Sequence, residues 1–207
     1  MNKSYSVKLI FLFSIIAVVS AWATIAISIH FNPWFSVTEN ALSDLGGGNL
    51  AYNGHPAPEY PYIYNGGMII TGILLFLFST AVIINGRNKV EINGSSFFMI
   101  SGLFLALVGV YHEGTYPHNF VSIWFFILAS ISYFSIGLSL AINRFLRGYI
   151  IIITLTVSWI LYSIIPWQSV AEDEIFGIIV IDIIVIIHIT TFIKGRLFTE
   201  SSKNFNR

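Results

Sequence analysis

The feature that most constrains this chain is where its basic residues fall. All ten Lys and Arg side chains sit in alternate gaps between six apolar runs. The runs are residues 9–31, 62–85, 95–111, 118–143, 149–167 and 175–193. Each approaches or exceeds the roughly 20 apolar residues that cross a hydrocarbon core as a helix. Lys3 and Lys8 precede the first run, and Arg87 and Lys89 follow the second. Arg144 and Arg147 follow the fourth, and Lys194, Arg196, Lys203 and Arg207 follow the sixth. The other gaps collect Glu39, Asp44, Glu59, Glu113, Glu172, Asp173 and Glu174. Lys and Arg near span ends mark the cytoplasmic side. The pattern therefore predicts six spans, both termini cytoplasmic, in a multi-pass protein of the plasma membrane.

The expected fold is all-α: a polytopic membrane protein built as one six-helix transmembrane bundle over residues 1–207. It has a long extracytoplasmic loop at 32–61 and a cytoplasmic tail at 194–207. A charged fraction of 10% agrees, since soluble chains carry about 25%. The formal net charge of zero gives no bulk attraction to nucleic acid. Cysteine is absent, which removes disulfides, thiolate nucleophiles and cysteine metal sites. Ala21-Trp22-Ala23 has the small-residue spacing of a signal cleavage site. The apolar run continues past it to Ile29, so a retained span is the reading taken.

Two polar stretches carry what chemistry the sequence offers. In residues 32–65, Ser36 and Glu39 have capping-box spacing, which predicts a short helix over 37–45 ending at Gly46-Gly47. Spacing pairs Glu39 with Ser43 and Asn40 with Asp44. This helix is expected to lie flat at the interface with its polar groups toward the bundle mouth. The second stretch joins the third and fourth runs and reads Tyr111-His-Glu-Gly-Thr-Tyr-Pro-His118, with Ser122 one turn on. His112, His118 and Glu113 within seven residues can ligate a metal, transfer protons or activate a nucleophile. A zinc-type divalent ion is the candidate cofactor, with Asp44 or His55 completing the shell. In a catalytic reading, Asp44 and His118 are acid/base or metal-facing groups, Ser43 or Ser122 is the nucleophile, and Glu113 orients or ligates. Asn40, Asn65, Glu39 and Asp182 are then candidate substrate contacts. In a non-catalytic reading, the same groups cap helix ends.

Within the spans, Gly102, Ala106 and Gly109 form a small-residue stripe fit for close helix packing, and Ser132, Ser135 and Ser139 form another. Asp182 and His188 lie at membrane depth on different faces of the last span. Asp182 is expected to bond Tyr162 or Ser158, and no chain of acids continues from it. No internal repeat suggests an inverted-repeat transporter.

Asn40-Ala-Leu-Ser-Asp-Leu-Gly46, Pro61-Tyr-Ile-Tyr-Asn-Gly-Gly67, the Gly102 to Gly109 stripe and His118-Asn-Phe-Val-Ser122 resemble the prokaryotic six-span family known as domain of unknown function 998. A more distant likeness runs to the DRAM/Sfk-type six-span membrane proteins, although Leu45 stands where that group prefers Thr. The resemblance implies the topology and highlights Ser43, Asp44, Gly46, Asn65, His118 and Ser122. It implies no settled reaction. Because these polar groups are expected to converge at lipid-headgroup depth, where a lipid's ester or phosphate would sit, the leading functional expectation is a membrane-embedded lipid-modifying hydrolase or acyl transferase. The alternative is a non-catalytic accessory subunit or lipid-binding sensor, and a third expectation is a small transporter using Asp182 for coupling. Expected partners are membrane lipids and other membrane proteins.

Overall fold

The computed structural model describes residues 3–47 and 54–205, with side chains for 5–47 and 54–192. Six helices follow in order: α1 Lys3–Phe31, α2 Pro61–Ile84, α3 Lys89–Val110, α4 His118–Ile142, α5 Leu146–Ile164 and α6 Val170–Phe205. Among the described residues, six helices are long and apolar enough to cross a membrane. A 3-10 helix, Leu42–Gly46, lies between α1 and α2. Because the helices alternate in direction, Glu39, Glu59, Glu113 and Glu172 gather at one end of the bundle and Lys8, Arg87, Lys89, Arg144 and Arg147 at the other. These are called the acidic and basic ends below. Gly48 and Tyr52 of the first connection lie outside the described residues.

Three helices have bounds that differ from expectation, and two starts and one end have a local cause. α3 begins at Lys89 rather than 95, because Asn88 Oδ1 accepts from Val90 N and Glu91 N at 3.0 Å each. α6 begins at Val170 rather than 175, because Ser169 Oγ accepts from Glu172 N. It also continues through the predicted tail, whose Lys, Arg and Glu are good helix formers. α5 spans Leu146–Ile164 rather than 149–167. Pro166 drives Ile165 out of helical geometry, to ψ 127°.

In lipid, apolar side chains gain nothing by leaving solvent, so helix association rests on close packing and interhelical hydrogen bonds. The stripe on α3 does this work. A Cβ at Gly72 would stand 2.5 Å from both Ala106 N and Gly102 O, and one at Gly109 would stand 2.2 Å from Asn65 O. The α2 and α3 backbones therefore touch. Hydroxyls tie other pairs: Thr71 Oγ1 donates to Ser20 Oγ between α2 and α1, and Ser101 Oγ to Phe125 O between α3 and α4. The second stripe divides. Ser132 and Ser139 are buried, whereas Ser135 bonds back to Ile131 O of its own helix. Phe78, Phe98 and Tyr133 meet edge to face where α2, α3 and α4 converge.

Candidate functional site at the acidic end

The segment after α1 is not the surface helix that the capping-box spacing predicts. Ser36 Oγ contacts Thr38 Oγ1 instead of capping, and Asn40 Oδ1 accepts from Ser36 N. The chain then turns inward as Leu42–Gly46, and all five residues are buried. Asp44 Oδ2 reaches back to Ala41 N at 2.8 Å, the acidic half of a capping box. Three other elements hold this plug. Leu42 N donates to Glu174 Oε2 of α6 at 2.8 Å, and Ala171 N of α6 donates to Asn40 O. Asn65 Nδ2 of α2 donates to Gly46 O at 2.9 Å. Ser43 Oγ donates to Glu113 Oε2, in the α3–α4 connection, at 3.1 Å. Gly46 is needed for close approach, since a Cβ there would lie 2.2 Å from Asn65 Oδ1.

Two histidines close the plug. His118 Nδ1 faces Tyr111 O at 2.6 Å, and its Nε2 lies 3.0 Å from Glu113 Oε2. Ser122 Oγ approaches the same Nε2 at 3.5 Å. His55 faces Pro56 O through Nδ1 at 2.8 Å and Asp44 Oδ1 through Nε2 at 3.3 Å, with its ring stacked on Trp34. Each ring has an oxygen acceptor opposite both nitrogens. Neutral imidazole carries only one N–H.

Of the sequence-predicted residues, the structure brings Ser43, Asp44, Asn40, Asn65, Glu113, His118 and Ser122 to one end. The predicted pairs Glu39 with Ser43 and Asn40 with Asp44 do not form. Glu39 is exposed, Ser43 bonds Glu113, and Asp44 bonds Ala41 N. Asp182 lies apart from this cluster, and its partner is neither Tyr162 nor Ser158. Trp22 Nε1 of α1 donates to Asp182 Oδ2 at 2.8 Å, while Ser158 bonds Thr154 O. The metal triad is not assembled either. Among the described residues no three His, Asp or Glu side chains group as ligands. His112 Nδ1 faces Glu113 O, and both nitrogens of His118 have other partners. Glu174 was missed as a site residue. Its signal was the Ser169 to Glu172 capping spacing, which starts α6 early and turns Glu174 inward.

Residues 15–191 match the family model described as protein of unknown function (DUF998). The chain belongs to the DUF998 family. That match carries no link to the DRAM/Sfk-type proteins. No curated protein and no solved structure matches the chain. The Ser-Asp-Leu-Gly residues of this DUF998 protein are thus plug residues, and the Asn-Gly that opens α2 supplies Asn65 to hold them. Below the plug lies a central cavity of ≈ 70 Å³, lined by Leu42, Tyr64, Ser122, Phe125, Glu174 and Asp182 among others. At about 10–15 Å³ per water-sized sphere it has room for on the order of five waters.

The plug makes a direct prediction. Asp44→Ala removes a charged acceptor from a buried amide, so a loss of about 1–3 kcal/mol is expected. Asp44→Asn retains an oxygen for Ala41 N and should lose less. Thermal unfolding in detergent ranks the two; equal losses would mean that the Ala41 contact contributes little.

Proposed function

We propose that this DUF998 protein is a membrane-embedded enzyme acting on lipids at headgroup depth, as a hydrolase or acyl transferase. The supporting observation is the succession Ser122 Oγ, His118 Nε2 and Glu113 Oε2, at 3.5 and 3.0 Å. His118 is oriented by Tyr111 O at Nδ1, which leaves Nε2 for the Ser122 proton. Ser122 Oγ then attacks a lipid ester carbonyl, and Glu113 stabilises the imidazolium that forms. His118 returns the proton to the leaving alkoxide. Water or a second alcohol releases the acyl group. We place the acidic end on the outer face of the plasma membrane, with both termini cytoplasmic, because Lys and Arg collect at the opposite end.

A second reading has its own support. Glu113 lies closer to Nε2 than Ser122 does, so in the resting arrangement the cluster acts as a latch. On that reading the protein is a non-catalytic accessory subunit or lipid-binding sensor. An alkyl fluorophosphonate separates the two. The catalytic reading expects a single adduct on Ser122, absent in Ser122→Ala and slowed about 100-fold in His118→Gln. A folded wild-type protein that takes no adduct sinks the catalytic reading and leaves the latch.

A further inference from the structure

The central cavity below the plug is long and narrow. Its walls run from Ile25 to Ser14 on α1, from Tyr64 to Leu75 on α2 and from Glu174 to Val185 on α6. Each stretch advances eleven positions, about 16–17 Å at 1.5 Å per residue. A volume of ≈ 70 Å³ drawn out over that length is a slot about one methylene wide, not a chamber. Its head is polar. Tyr64, Ser122 and Glu174 line it three or four positions in from the acidic ends of α2, α4 and α6.

Below the head the lining is hydrocarbon with three polar exceptions, and each has a partner within the walls. Ser14 donates to Phe11 O of its own helix, Thr71 donates to Ser20 Oγ, and Asp182 Oδ2 accepts from Trp22 Nε1. A buried water needs about two to four polar partners, and apolar cavities that lack them stay dry and take up hydrocarbon. An unfilled slot also forfeits dispersion contacts along its walls. The length selects the hydrocarbon. One leaflet contributes about half of the ≈ 30 Å core, so the slot is about as deep as one acyl chain is long. An extended chain advances roughly 1.3 Å per carbon, its C–C bonds being about 1.5 Å, so about thirteen carbons fill it. The mouth selects the head group. Asp44, Glu174 and Glu113 hold Ala41, Leu42 and Ser43, three successive plug residues, so three carboxylates surround it. An anionic head group is repelled there.

We propose that this slot binds one acyl chain of a lipid ester with an uncharged head group, its carbonyl at Ser122 and its methyl end at the level of Leu75 and Val185. The chain enters from the bilayer between α1 and α6, where Val18, Ala21, Ile178 and Ile181 of the lining are only half-buried. The plug then has no need to open. The placing of the ester rests on the reading of Ser122 as nucleophile, whereas the slot itself does not.

The experiment uses the full chain in phosphatidylcholine vesicles and two monoacylglycerols that carry a diazirine on the last carbon. One has a five-carbon chain and the other fourteen. After irradiation, adducts are mapped by peptide mass spectrometry. The longer chain is expected to label the floor around Ser14, Leu75 and Val185, and the shorter one the level of Met68 and Ile178. Val18→Phe narrows the lower slot and should cut floor labelling about ten-fold while leaving the short-chain adduct unchanged. If Val18→Phe does not fold, Ala21→Phe decides in the same way. Labelling confined to lipid-facing residues such as Ile15 and Val19 overturns the proposal, as does floor labelling that neither variant reduces. The fourteen-carbon chain as a free carboxylate should label about ten-fold less, and equal labelling overturns the assignment of an uncharged head. Floor labelling without a fluorophosphonate adduct on Ser122 sinks the catalytic reading and keeps the slot. An adduct on Ser122 without floor labelling sinks the slot alone.

Discussion

Glu91→Ala is expected to lower stability by about 3 kcal/mol, the lower part of the range for breaking a buried ion pair. Glu91 is fully buried and accepts from Arg87 N, Arg87 Nε and Arg87 Nη2, while its Oε1 faces His188 Nε2. Removing it strands a guanidinium that also rests against the Phe192 and Phe145 rings. The partial exposure of Arg87 lets water take up some of that cost, which is why the lower figure applies. Glu91→Gln keeps the acceptor and should lose less. Arg87→Leu combined with Glu91→Leu should recover much of the loss, because the stranded charge is gone. The check is a double-mutant cycle read by thermal unfolding in detergent. A loss below about 1 kcal/mol for Glu91→Ala would show that Arg87 finds another partner.

Gly72→Ala gives the second large effect, about 1–3 kcal/mol, because its Cβ meets backbone rather than flexible side chains. Ala106 N and Gly102 O belong to a helix that cannot yield without moving as a whole. Gly72→Leu should therefore abolish the α2–α3 contact and yield no monodisperse protein. Gly66, on the same helix, is the internal control. A Cβ there has nothing within 4 Å, so Gly66→Ala should be neutral or stabilising by about 0.5–1 kcal/mol through helix propensity. Unfolding of the two alanine variants side by side separates backbone contact from propensity. If both shift alike, the close approach of α2 and α3 contributes nothing measurable.

The spans were legible because length and hydropathy are local properties, and the charge alternation follows from topology. The stripe on α3 was legible too, since small residues at helical spacing have few other uses. The interior polar groups were harder to read. Glu91 and Glu174 sit one turn inside helices whose starts are set by Asn88 and Ser169, and capping residues within a polar turn look like the turn itself. The Ser-Asp-Leu-Gly turn was misread as a surface helix for a related reason. Ser36 and Glu39 have the right spacing, but Asn40 and Asp44 offer the backbone competing bonds. The resulting turn is then held by Asn65 of α2 and Glu174 of α6, which the spacing within it does not reveal. Spacing alone grouped His112, His118 and Glu113 as ligands, whereas the fold pairs the His118 ring with the Glu113 carboxylate and turns His112 to the Glu113 backbone carbonyl.

The plug also imposes an order on synthesis. Leu42 N is held by Glu174, 132 positions later in the chain. At roughly 5–20 residues per second, the plug emerges about 7–26 s before its α6 anchor exists. Until then the connection between α1 and α2 lacks its α6 anchor, and its plug is held by the contacts that Asn65 and then Glu113 supply. The sixth helix is the one that completes the hold on the first loop.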